Sequence, residues 1–177
     1  MDVRRIGPVG AEVADLDLAS LDGPADFAAL RALWLEHGLL VFRDQQLTPG
    51  GLAEFAAGFG ELDVYPFRPA LDGHPNVTAI VKEAHERANF GAGWHTDGSW
   101  KPCPPSATVL HAVELPPAGG DTLFADASAA WRDLPAEQRE ALADLRGVYT
   151  PALIHAEGGA HAAVAAGRSG VETDADR

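Results

Sequence analysis

The segment GAGWHTDGSW, residues 91–100, places a histidine and an aspartate two positions apart. If this segment is extended, His95 and Asp97 point to the same side, because successive side chains of a strand alternate between its two faces. An imidazole nitrogen and a carboxylate oxygen aimed at one point suit an intermediate cation such as Fe(II). With a third ligand from a distant strand, they would form a two-histidine, one-carboxylate site that leaves positions open for a cosubstrate and dioxygen.

A His-x-Asp triplet also arises by chance, so a structural or surface role is the competing interpretation of the pair. His155 and Glu157 form a second triplet of this kind, but they lead into a Gly-rich stretch and are the weaker candidate for a ligand pair. His111 lies within an apolar run, where we expect a hydrogen-bonded structural residue rather than a ligand. The pattern alone leaves these alternatives open.

Composition narrows the class of protein. The chain has 177 residues, enough for one domain with a real core, and its net charge of −13 disfavours binding to nucleic acid. Cys103 is the only cysteine, which excludes an internal disulfide and a Cys-rich zinc site. No apolar run approaches the roughly 18 residues of a membrane helix. The N-terminus lacks the apolar region of a secretory signal, so we expect a cytoplasmic protein with no membrane partner.

Helical and extended elements must position the candidate ligands. Periodicity and capping residues predict helices at 23–38, 48–60 and 134–147. Apolar alternation and short apolar runs predict one or two strands within 3–18, and further strands at 39–44, 76–83, 96–100, 106–115, 121–126 and 148–155, with the strand at 121–126 ending at a helix cap. This order is not a βαβα alternation. It favours a mainly β protein with flanking helices, an antiparallel sandwich or a jelly roll.

Two longer motifs resemble one family. The sequence WHTDGSW followed by PPSATVLHAVELPPAGGDTLFAD, and the earlier GLLVFRDQQLTPGGLAEFAAGFGEL, are similar to the TauD/TfdA family of Fe(II)- and 2-oxoglutarate-dependent oxygenases. The resemblance runs from residue 1 to about 155. It implies that 1–155 is the N-terminal and central part of such an oxygenase domain, followed by a Gly/Ala-rich loop or tail at 156–177.

The resemblance implies a role for each matching residue. His95 and Asp97 would be two of the three iron ligands, and Thr122 would hydrogen-bond a carboxylate of 2-oxoglutarate. The fold would be a double-stranded β-helix, or jelly roll, incomplete in this chain. The reaction would be hydroxylation of a small organic substrate with Fe(II), 2-oxoglutarate and O₂, releasing succinate and CO₂.

Departures from the family pattern define further expectations. The family's third iron ligand and the arginine that binds the distal carboxylate of 2-oxoglutarate belong to a downstream segment, and no match to it occurs in this chain. We therefore expect the sequence to be an N-terminal piece of a longer enzyme that alone binds Fe(II) and 2-oxoglutarate weakly.

The substrate segment also departs from the taurine enzyme. Tyr65 and Arg68 occupy the positions expected to contact substrate, and Arg68 would hold a carboxylate, sulfonate or sulfate. A solvated surface arginine is the alternative for Arg68. The rival functions are a non-catalytic jelly-roll remnant or binding protein, and a cupin-like metalloenzyme. The resemblance also implies self-association into a homo-oligomer.

Overall fold

A computed structural model describes residues 1–21, 23–83, 85–86, 91 and 93–150. Two compact units divide the chain: Met1–Thr78 with Val109–Leu145, and Ala79–Thr108 with the segment that begins at Arg146. The predicted tail at 156–177, and most of the strand predicted at 148–155, lie outside the described residues. Within the described part of the chain, no helix combines the length and the apolar character needed to cross a membrane.

A three-stranded sheet begins the first unit. Strand β1 (Asp2–Arg5) pairs antiparallel with β2 (Ala11–Ala14), which pairs in parallel with β3 (Leu40–Val41). Ala11 and Val13 are buried, as expected for residues two apart on the inner face of β2. The strands predicted within 3–18 and 39–44 are confirmed, although β3 has only two residues.

The described residues form four α-helices: α1 (Pro24–His37), α2 (Pro49–Ala57), α3 (Ala127–Asp133) and α4 (Ala136–Ala143). Helix α1 ends at Gly38, whose φ of 74° is the left-handed conformation typical of a helix C-terminus. Helix α2 begins where the Thr48 hydroxyl accepts a hydrogen bond from the Gly51 amide at 3.1 Å. The three predicted helices are confirmed, although α4 ends at Ala143, before the predicted end at residue 147. Helix α3 begins directly after Asp126, the residue predicted to cap a helix.

An aromatic core joins α1 and α2. Leu18, Leu30 and Phe55 are buried, and partly buried apolar residues surround them: Leu16, Leu21, Phe27, Phe42, Leu47, Phe59 and Val109. The Phe55 ring contacts the Phe59 ring edge to face, with centroids 5.4 Å apart, a geometry that aromatic quadrupoles favour. Burial of these side chains is the main stabilising term of the first unit.

Gln45 connects three segments of this unit through its side chain and its backbone. Its side-chain oxygen accepts from the Leu18 amide at 2.9 Å, and its side-chain nitrogen donates to the carbonyls of Leu16 (2.9 Å) and Arg43 (2.8 Å). Its backbone carbonyl lies 3.2 Å from Nε2 of His111, which therefore donates. His111 is thus a half-buried, hydrogen-bonded residue, as predicted.

Four of the predicted strands are wrong. Residues 76–83, 96–100, 106–115 and 121–126 pair in no sheet within the described part of the chain. Their apolar side chains are largely exposed, as Val113 (90%) and Leu115 (72%) illustrate. Periodicity records a tendency to be buried, whereas a strand also needs a neighbour that satisfies its backbone groups. The described residues form a small sheet with helices, so the jelly roll stays an expectation.

We predict that Gln45→Ala lowers the free energy of unfolding by about 2–3 kcal/mol, because the partly buried Leu18 amide and Leu16 carbonyl lose their partner. Gln46→Ala is the matched control, since Gln46 is exposed and should change stability by less than about 0.5 kcal/mol. Urea unfolding followed by tryptophan fluorescence measures both. Equal stability of the two variants would contradict the connecting role of Gln45.

Glu12 on β2 provides a pH-dependent contribution to stability. Its carboxylate is paired with Arg43 (Nε to Oε2, 3.1 Å) and Arg4 (Nη2 to Oε1, 3.3 Å), and hydrogen bonds from these two side chains, Arg43 first, lower the pKa of Glu12. A carboxyl whose pKa is lower in the folded state stabilises the fold above its unfolded pKa, about 4.3. That contribution is lost as pH falls through the folded pKa.

We therefore predict that Glu12→Gln is less stable than the wild type near neutral pH and that the difference shrinks below about pH 4. Urea midpoints measured across this pH range test it. Glu54→Gln is the control, because Glu54 is exposed and forms no ion pair in the described residues. A difference that grows on acidification would show that the two arginines do not act through the charge of Glu12.

Candidate metal centre

His95 and Asp97 converge within the second unit. Nε2 of His95 lies 3.2 Å from Oδ1 of Asp97. Each side chain is about half exposed, at 53% for His95 and 52% for Asp97. The predicted approach of an imidazole nitrogen to a carboxylate oxygen is therefore present, at a place that solvent and small molecules can reach.

A turn, rather than the predicted strand at 96–100, produces this approach. Gly98 has a φ of 60°, and the Lys101 amide donates to the Gly98 carbonyl at 2.9 Å. A Cβ atom built on Gly98 would lie 2.6 Å from Cδ of Pro105, so the proline ring packs where a side chain would stand. The left-handed conformation and the close contact both require glycine, and together they exclude an extended strand.

The backbone orients the imidazole. Nδ1 of His95 lies 2.7 Å from the carbonyl oxygen of Gly93. A carbonyl oxygen only accepts, so Nδ1 carries a proton and donates to it, which leaves Nε2 as the ring nitrogen that faces Asp97. Histidine ligands in proteins are commonly oriented in this way by a hydrogen bond from the other ring nitrogen.

The carboxylate has a partner of its own. The hydroxyl of Thr108 donates to Oδ2 of Asp97 at 2.7 Å, a length typical of a hydrogen bond to a charged acceptor. This leaves Oδ1 directed at the histidine. Sequence reasoning missed Thr108, because no periodicity or motif connects it with a residue eleven positions earlier.

A close backbone approach limits the space around the imidazole. Gly91 has a φ of 70°, and a Cβ atom built on it would lie 3.1 Å from Cε1 and 3.7 Å from Nε2 of His95. A side chain at position 91 would therefore crowd the nitrogen that faces Asp97. The absence of a side chain keeps that edge of the ring accessible.

The donor set fits two ligands of a first-row divalent cation. Imidazole nitrogen and carboxylate oxygen together are the donors that non-haem Fe(II) sites use. No group of three or more His, Cys, Asp and Glu side chains suited to a metal occurs among the described residues. His155 and Glu157, the alternative pair, lie outside those residues.

The other predicted site residues belong to the first unit. Thr122 is exposed and follows Gly119 and Gly120, both of which have positive φ. Tyr65 and Arg68 are half-buried in the segment after α2, where the Tyr65 ring lies edge to face on Phe67 with centroids 5.6 Å apart. Their roles toward cosubstrate and substrate stay predictions.

Comparison with protein-family models decides the family. The model of the taurine catabolism dioxygenase TauD, TfdA family matches residues 2–170. The chain belongs to the TauD/TfdA family. The resemblance stated from the two sequence motifs is thereby confirmed over nearly the whole chain.

Two curated proteins also match more than two thirds of the chain. The chain is 34% identical over 146 residues to an alpha-ketoglutarate-dependent sulfate ester dioxygenase of Pseudomonas putida, covering 81% of this chain and 47% of that protein. It is 37% identical over 127 residues to an (S)-phenoxypropionate/alpha-ketoglutarate-dioxygenase of Sphingobium herbicidovorans, covering 69% and 43%.

A solved structure extends the comparison to the fold. The crystal structure of a taurine dioxygenase from Burkholderia xenovorans superposes with a TM-score of 0.74 at 34% identity, covering 89% of this chain and 60% of that one. The chain thus spans about half the length of the curated relatives it matches.

We predict that Gly98→Ala destabilises the second unit by more than Gly73→Ala destabilises the first. Both glycines have positive φ, which costs an alanine about 1–2 kcal/mol, but a Cβ atom at Gly73 meets nothing within 4 Å whereas one at Gly98 meets Pro105. Urea unfolding of the two variants measures the difference. Losses of equal size would argue against the packing of Pro105 on the turn.

Proposed function

We propose that this chain is part of an Fe(II)- and 2-oxoglutarate-dependent dioxygenase that hydroxylates a small anionic organic molecule. The main support is the 3.2 Å approach of Nε2 of His95 to Oδ1 of Asp97 in a protein of the TauD/TfdA family. Because the chain spans about half the length of the curated relatives, the activity belongs to the whole enzyme of which this chain would be a portion.

His95 and Asp97 would hold Fe(II) through Nε2 and Oδ1. When bound, Fe(II) with 2-oxoglutarate and O₂ supplies the hydroxylation of a substrate C–H bond, and 2-oxoglutarate is oxidised to succinate and CO₂. The protein would contribute orientation. The Gly93 carbonyl orients the imidazole, the turn at Gly98 sets the backbone that carries Asp97, and Gly91 leaves the edge of the imidazole open.

Thr122 would bind the cosubstrate, and Arg68 with Tyr65 would bind the substrate. A threonine hydroxyl is suited to donate to a carboxylate of 2-oxoglutarate. The guanidinium of Arg68 offers paired donors to an acidic group, and Tyr65 would form a wall beside it. The whole enzyme would adopt the jelly roll.

An anionic substrate agrees with the names of the relatives. These proteins act on a sulfate ester or on phenoxypropionate, and the similar solved structure is a taurine dioxygenase. Each such molecule carries an acidic group, which Arg68 would recognise. The net charge of −13 means that this recognition would depend on local cations rather than on the overall field of the protein.

The first test is ligand binding without oxygen. We expect Fe(II) and 2-oxoglutarate added anaerobically to the whole enzyme to produce a visible metal-to-ligand charge-transfer band. His95→Ala and Asp97→Ala should abolish that band, because each removes one ligand, whereas His85→Ala, which removes an exposed histidine of the same unit, should leave it unchanged. A band of equal strength in all variants would sink the ligand assignment.

The second test is turnover by the whole enzyme. Succinate release is measured with sulfonates, sulfate esters and carboxylates, each paired with a neutral analogue of the same shape. We expect release that depends on substrate for at least one acid and not for its neutral partner. Metal and 2-oxoglutarate binding without succinate release from any acid would favour the alternative, a non-catalytic binding protein.

A further inference from the structure

The hydrogen bond from Thr108 gives the two carboxylate oxygens of Asp97 different partners. Oδ2 accepts from the Thr108 hydroxyl at 2.7 Å, while Oδ1 lies 3.2 Å from Nε2 of His95. The carboxylate therefore presents one oxygen toward the histidine and keeps the other on a protein donor. A carboxylate held in this way is arranged to bind a metal through one oxygen rather than through two.

This restraint matters because the site is open. The side chain of Asp97 is 52% exposed, so packing alone does not restrict its χ2 rotation. The turn at Gly98 sets the backbone, but it does not decide which oxygen faces His95. A hydrogen bond of 2.7 Å between a hydroxyl and a charged carboxylate is among the stronger ones in proteins and does decide it.

The two candidate ligands are restrained by different kinds of group. His95 is held by the backbone carbonyl of Gly93, which every residue at that position would provide. Asp97 is held by a side chain, and only Ser, Thr or another donor at position 108 could replace it. Specific control over the geometry of the pair therefore lies with Thr108.

We infer that Thr108 is a positioning residue for the metal centre, acting through Asp97 by holding Oδ2 so that Oδ1 alone faces the cation. The inference rests on the proposed function, since it gives the hydroxyl a purpose only if His95 and Asp97 bind a metal. Thr108 would affect metal affinity and coordination number, and it would not contact substrate or cofactor directly.

The test is metal binding by four forms of the whole enzyme of which this chain would be a portion: the wild type, Thr108→Val, Thr108→Ser and Ser106→Ala. Free Mn(II) is measured by its electron paramagnetic resonance signal during titration with each protein. We expect Thr108→Val, which keeps the shape and removes the hydroxyl, to weaken binding by about 10–100-fold, as loss of a partner behind a metal ligand typically does. Thr108→Ser should bind like the wild type.

Ser106→Ala is the matched control, because it removes an exposed hydroxyl from the same segment and should leave affinity unchanged. Bound Co(II) supplies a second measurement, since its visible absorption reports coordination number. We expect that spectrum to change in Thr108→Val and not in Thr108→Ser. Near-ultraviolet circular dichroism verifies that all four proteins retain the same fold.

The outcomes separate the two claims. A wild type that binds no Mn(II) would overturn the proposed function and the positioning role together. A wild type that binds Mn(II), with Thr108→Val equal to it in affinity and in the Co(II) spectrum, would overturn the positioning role alone. Weakened binding in both Thr108→Val and Thr108→Ser would also overturn it, because the hydroxyl would then not be the group that matters.

Discussion

An imidazole and a carboxylate that face each other across 3.2 Å while half exposed are the constraint on which the candidate site depends. Exposed side chains of this kind rotate freely unless something holds them, and ordering them costs conformational entropy. In the second unit, hydrogen bonds to the carbonyl of Gly93 and from the hydroxyl of Thr108, together with the turn at Gly98, offset that cost. The geometry of the pair is therefore set by the protein itself, as the proposed metal centre would require.

The first unit is organised by a different kind of force. Its core is aromatic and aliphatic, with Phe55 and Leu30 buried between α1 and α2, and its polar connections converge on Gln45. This part is stabilised by burial of apolar surface and by satisfied backbone groups. The candidate ligands His95 and Asp97 belong to the second unit, where the contacts described above are mainly hydrogen bonds and a glycine–proline contact. The apolar core and the candidate ligand pair thus depend on different kinds of interaction.

Local elements were predictable because their causes are local. Helix α1 follows from Pro24 at its start and Gly38 at its end, and α2 follows from the cap at Thr48, all within a few residues of the element they define. Strands at 106–115 and 121–126 were not predictable in the same way. Their apolar pattern is present, yet Val113 is 90% exposed. A strand forms only when another segment supplies its backbone hydrogen bonds, and the local pattern does not say whether such a segment is there.

The sequence by itself determined the family, through the WHTD and PPAGGDTL motifs, and the identity of the candidate ligands His95 and Asp97. Residue type alone decides whether a side chain offers donors suited to Fe(II), so His95 and Asp97 could be predicted as candidate ligands from the sequence. Only the tertiary structure decided how the two side chains meet. A turn enforced by Gly98 replaces the predicted strand, and a hydroxyl eleven positions away holds the carboxylate. Contacts between distant residues depend on the path of the whole chain, which no local pattern encodes.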